Sequence, residues 1–208
     1  IEKFFNYIPN LIFNFLFTTV LEYLNDKNWK DEIPNDLKDF YDSKSYLKAK
    51  NYKIERGRLS SLSSLISFMF TLAMLYFLGF GLLSDFSVSF SESVIVQSSI
   101  FFFIIYLFNF ILGIPFSYYS TFVIEEKYGF NKTDLKTFIL DKIKGLLISC
   151  IILIGLISLA LFIIESFSSG FWLWLWLGLS LIMILLNMFY ADLIVPIFNK
   201  LTPLENGD

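Results

Sequence analysis

Histidine is absent from all 208 residues, and cysteine occurs once. Without histidine there can be no His-ligated zinc, no Ser-His-Asp triad and no Cys-His dyad within these residues. A single Cys150, set in an apolar run, rules out an internal disulfide and a cysteine-cluster metal site, and reads as a packing residue. Charge is also scarce, at 17% of residues, with a net −3 and no basic field of the kind nucleic acid requires. Apolar residues dominate instead: 56% of the chain is hydrophobic, and the mean hydropathy is +0.64. One soluble core of this length does not need so much, so the chain is expected to be an integral membrane protein, all-α and polytopic.

Crossing a hydrocarbon layer of about 30 Å takes roughly 20 apolar residues of helix. Four stretches without Asp, Glu, Lys or Arg meet that length, at 62–83, 94–116, 145–164 and 171–190. A fifth, 8–24, carries Pro9 in its first turn and Glu22 near its far end, which brings the expected count to about five transmembrane helices. Basic residues fall mainly in two connections. Nine lie in 25–61 and five in 117–144, with Lys200 in the tail and Lys3 alone on the other side. The positive-inside rule then predicts an outside N-terminus, and places 25–61, 117–144 and the C-terminal 191–208 in the cytoplasm. The chain opens on Ile1 and closes on a polar run to Asp208, which suggests a segment of something longer.

Within the connections, Pro34 is expected to open an amphipathic helix bearing Leu37, Phe40, Tyr41, Leu47 and Ile54, lying on the membrane or serving as a solvated linker. Asn131 and Asp134, three apart, form an imperfect capping box ahead of a helix that feeds into the fourth span. Trp172, Trp174 and Trp176 suit an interfacial aromatic belt. No charged residue lies deep in a span, which argues against a pump or ion-coupled transporter. Glu125 and Glu126 are the one adjacent acid pair beside the membrane. Neighbouring helical residues point about 100° apart, so spacing alone does not make them converge. Asp192 reads as an interfacial acid, with Pro196 ending or kinking its helix near Val195.

Two clusters of residues carry a resemblance. One is Gly113, Pro115, Ser117-Tyr118-Tyr119, the run Thr121 to Lys127, Gly129, Asn131, Leu135, Phe138, Asp141, Ile143 and Lys144; the other is Tyr190-Ala191-Asp192, Ile194, Pro196, Phe198, Lys200, Thr202-Pro203-Leu204 and Gly207. Together they resemble the integral-membrane zinc CAAX prenyl proteases, and Lys48, Tyr52 and Arg58 within 45–59 add a weaker match. The glutamate-dependent intramembrane CAAX proteases do not fit, because Phe130 stands where their motif needs arginine. The resemblance implies that this is the amino-terminal membrane part of a zinc metalloendopeptidase. That part would wall an intramembrane chamber while a downstream peptidase domain carries a His-Glu-x-x-His zinc motif, so this chain itself would supply no catalytic or metal residue. It further implies a protein or peptide substrate in a bilayer, with a bacterial inner membrane or the endoplasmic reticulum as location. Tyr190, Asp192, Pro196 and Lys200 would form the junction to the peptidase domain, and Glu125, Glu126 and Asn131 a loop facing the chamber. The alternatives are a non-enzymatic scaffold or chaperone-like module and, behind it, a transporter subunit.

Overall fold

Apolar runs without a polar period of two leave helix as the way to satisfy backbone groups in lipid, and every regular element among the described residues is helical. The computed structural model describes residues 7–33, 38, 42–167 and 169–199. In chain order the elements are α1 (Tyr7–Asn28), α2 (Ser43–Tyr76), α3 (Gly79–Val88), α4 (Val94–Tyr119), a π-turn at Ser120–Glu125, α5 (Leu135–Ser166), α6 (Phe171–Phe189), a second π-turn at Tyr190–Ile194, and α7 (Val195–Phe198). Among the described residues, four stretches are long and apolar enough to cross a membrane: Ser43–Tyr76, Val94–Glu125, Leu135–Ser166 and Phe171–Phe198. The expected span at 8–24 lies within α1, which is not among the four, since Asn10, Asn14 and Glu22 dilute its apolar residues. The side chains of the crossing helices face outward: Ile151 is 72% exposed and Met183 64%. Such faces are compatible with lipid and not with water.

The helix bounds correct several expectations. Pro34, Leu37, Phe40 and Tyr41 lie outside the described residues; the helix that carries Leu47 and Ile54 begins at Ser43 and runs without interruption into the second span. Its N-cap is Asp42, whose carboxylate accepts from the Ser45 amide at 2.8 Å and hydroxyl at 2.7 Å; these bonds hold the Asp42 carboxyl below its ordinary value. The expected span 62–83 is broken at Phe77–Leu78, where Leu78 takes a φ of 55°. One residue on, a Cβ added to Gly79 would stand 2.6 Å from the Met74 sulfur, so any larger residue there would require the Met74 side chain to move. At the fourth span the N-cap residue is Asp134, not Asn131, and its carboxylate accepts from the Thr137 amide at 2.7 Å. Helix α5 does continue directly from this cap into the membrane stretch.

By contacts the chain divides into two units, Ile1–Asp85 with Leu107–Lys132, and Phe86–Tyr106 with Thr133–Asp208. In the first, α1 packs on α2 through stacked Phe15 and Phe68 rings at 4.1 Å, Phe70 stacks on Phe108 at 3.9 Å, and Glu22 accepts from Ser61. Beyond α1, the Trp29 indole donates to the Tyr46 hydroxyl at 2.7 Å. In the second unit α5 packs on α6, with Gly178 opposite Ile163.

Candidate functional site

The first unit's candidate site forms where the polar half of α2 meets the end of α4. After the π-turn the backbone finishes in a Schellman cap: Gly129, at a φ of 72°, donates to the Glu126 carbonyl (3.0 Å) and Phe130 to the Glu125 carbonyl (2.8 Å). That closure swings Tyr128 and Phe130 onto α2. Tyr52 meets both rings edge-on, at 5.5 Å and 5.0 Å, and the Lys48 ammonium sits 5.0 Å over Phe130. Lys127 pairs with Glu55, and the Arg56 guanidinium donates to the Tyr52 hydroxyl at 2.9 Å. Beside this cluster opens a cleft of about 680 Å³, with Glu55, Arg58 and Lys127 at one end and an apolar wall that includes Leu62, Pro115 and Phe116.

Lys127 and Tyr128 titrate above their ordinary values. Donating its hydrogen bond to the Glu55 carboxylate raises Lys127 above 10.5, and burial, reinforced by Glu55, raises Tyr128 above 10.0. Both hold their protons to higher pH folded than unfolded, so both contribute stability that is complete below pH 10 and lost as pH rises through the folded values. The thermal midpoint of the purified chain is expected to fall from about pH 10 upward, and a Lys127→Met, Tyr128→Phe double variant to flatten that fall. An unchanged alkaline slope in the variant removes these two groups as its source.

The sequence-expected residues divide. Asn131 donates to the Glu126 carboxylate at 2.9 Å, so those two do converge, whereas Glu125 contributes its carbonyl as the anchor of the cap. In the second unit, Tyr190 and Asp192 lie in the π-turn and are exposed. Pro196 does not end the helix near Val195. The Val195 amide reaches back five residues to the Tyr190 carbonyl, and this wider turn accommodates a proline ring that would strike the Asp192 carbonyl in regular α-helix; the helical path continues to Phe198. Lys200, with 202–204 and Gly207, lies outside the described residues. Trp172, Trp174 and Trp176 are all exposed on α6, and Trp174 stacks on Phe167 at 5.0 Å.

Sequence reasoning missed the pin on α7: Lys144 donates to the Ile197 carbonyl at 2.9 Å, with its ammonium 5.8 Å over Phe198. A cation at a helix C-terminus is a readable signal, but only once α7 is known to end there. Glu55 and Lys127 were likewise unassigned, 72 positions apart.

The chain holds no histidine, and no three of Cys, Asp and Glu converge among the described residues, so these residues do not fit a zinc site.

Comparison with known proteins agrees with this architecture. Residues 22–200 match the family described as CAAX prenyl protease N-terminal, five membrane helices. A mouse protein named CAAX prenyl protease 1 homolog is 34% identical over 182 residues, covering 84% of this chain and 38% of its own length. A probable CAAX prenyl protease 1 of Schizosaccharomyces pombe is 32% identical over 194 residues, with 86% and 40% covered. The crystal structure of S. mikatae Ste24p superposes with a TM-score of 0.81 at 30% identity, over 95% of this chain and 48% of that one. This chain therefore spans less than half the length of these relatives, and on a match running through four of its crossing helices it belongs to the CAAX prenyl protease N-terminal family.

Proposed function

We propose that this chain is the membrane-embedded amino-terminal half of a zinc metalloendopeptidase, walling the chamber in which CAAX-type or membrane-associated protein substrates are cut. The observation that carries the proposal is the superposition on Ste24p over 95% of the chain at 30% identity. Because the donors here do not fit zinc, the metal and the peptidase domain are assigned to downstream parts of the same polypeptide. What these residues contribute is position. The Schellman closure and the Asn131–Glu126 bond hold Glu125, Glu126 and Asn131 on one loop, which supports a chamber-facing role for them, and the Lys144 bond to α7 supports a junction role for Tyr190, Asp192, Pro196 and Lys200. Trp172, Trp174 and Trp176 anchor the interface. The excess of Lys and Arg in 25–61 and 117–144, read with the family's five membrane helices, supports an outside N-terminus and a cytoplasmic C-terminus. The relatives named above are eukaryotic, which weighs toward the endoplasmic reticulum over a bacterial inner membrane.

The test uses the longer polypeptide, reconstituted in liposomes with a prenylated CAAX peptide. Pro196→Ala, which frees the π-turn to relax, is expected to reduce cleavage by roughly tenfold or more through misplacement of the junction, with the helical circular dichroism retained. If Pro196→Ala and Asp192→Ala leave both cleavage and folding unchanged, the junction role is lost. A longer polypeptide lacking any His-Glu-x-x-His overturns the peptidase reading itself.

A further inference from the structure

The cleft in the first unit has a polarity that the chamber-wall role does not use. Helix α2 carries Lys48, Lys50, Lys53, Arg56 and Arg58 and then no charged residue through Tyr76; α4 and its π-turn carry none from Val94 to Ile124, then Glu125, Glu126 and Lys127. Both helices thus change from charged to uncharged at the level of the cleft, where a bilayer would change from headgroup to hydrocarbon. Glu55 and Lys127 neutralise each other, which leaves the charge at that end to Arg58, exposed and without a hydrogen bond or ion pair among the described residues. Below it the wall is apolar.

We propose that this cleft binds an anionic phospholipid, with its phosphate on the Arg58 guanidinium beside Lys127 and an acyl chain along Leu62, Pro115 and Phe116. Arginine offers a planar fork of donors matched to two phosphate oxygens, and basic pockets between membrane helices are a recurrent seat for acidic headgroups. A volume of about 680 Å³ admits a headgroup and the upper part of a chain. The proposal needs only that the helices cross a membrane, and stands apart from any peptidase activity.

The whole chain, purified in detergent, is titrated with phosphatidylglycerol and separately with phosphatidylcholine, and retained lipid is read by native mass spectrometry. Phosphatidylglycerol is expected to be retained preferentially, and Arg58→Gln to reduce that retention about fivefold. Lys136→Gln, on α5 in the other unit, leaves it unchanged. Leu62→Trp fills the wall while keeping the charge and lowers retention of the lipid too, so a folding defect at Arg58 alone does not decide the matter. Glycerol phosphate, which has the anion but no chain, is expected not to compete. Equal retention of the two lipids, indifference to Arg58→Gln, or full competition by glycerol phosphate overturns the proposal. So does displacement of the lipid by a prenylated peptide with a free carboxylate at matched concentration, which reassigns the cleft to substrate.

Discussion

Replacing Tyr128 with alanine is expected to destabilise the first unit by about 3 kcal/mol, since truncating a buried aromatic ring removes its transfer free energy and leaves a cavity. Tyr128 is only 8% exposed, and its ring is what Tyr52 meets on α2. Tyr128→Phe keeps the ring and loses only the hydroxyl interaction with Glu55, for about 1 kcal/mol. Thermal unfolding in detergent, followed by circular dichroism, separates the two. If the phenylalanine variant falls as far as the alanine variant, the hydroxyl and not the ring holds the junction of α2 with the capped end of α4.

The second large effect belongs to Gly178. A Cβ built there stands 3.3 Å from the Ile163 Cδ1, tighter than ordinary contact, and in lipid helices associate through close packing of small residues and not through a hydrophobic drive. Gly178→Ile is expected to push α5 and α6 apart and cost about 1–3 kcal/mol, as overpacking does. Gly155→Ile, on the partner helix α5 but with nothing within 4 Å, is the control and is expected to leave the midpoint close to that of the parent protein. Alanine at 178 should be tolerated, because the tip of Ile163 is a flexible chain end. Equal losses at 155 and 178 point to helix propensity and not to crossing distance.

These sites show which information a sequence carries openly. Hydropathy alone made the helical, membrane-crossing class legible, because lipid leaves the backbone few alternatives. Local chemistry made the Asp134 cap legible, since its carboxylate needs only an amide three residues on. Hydropathy is blind, however, to the left-handed backbone at Leu78 and to the close packing of Gly79 on the Met74 side chain, so the apolar run 62–83 concealed a break. The π-turns left no periodic trace either, and Pro196, expected to end or kink its helix, is accommodated by a wider turn through which the helical path continues. At the site, Glu126 with Asn131 was within reach of a local reading, five residues apart. Glu55 with Lys127 was not, because that pairing depends on how two helices register against each other.

The π-turn at Tyr190–Ile194 also works as a phase shifter. It holds one more residue than an α-helical turn would, so each residue beyond it falls about 100° behind the position that an unbroken α-helix would give it. Ile197 and Phe198 reach Lys144 in that shifted phase. The face that α7 presents is therefore set by residue count as much as by side-chain chemistry, and a single insertion or deletion between Phe189 and Pro196 would re-aim everything that follows.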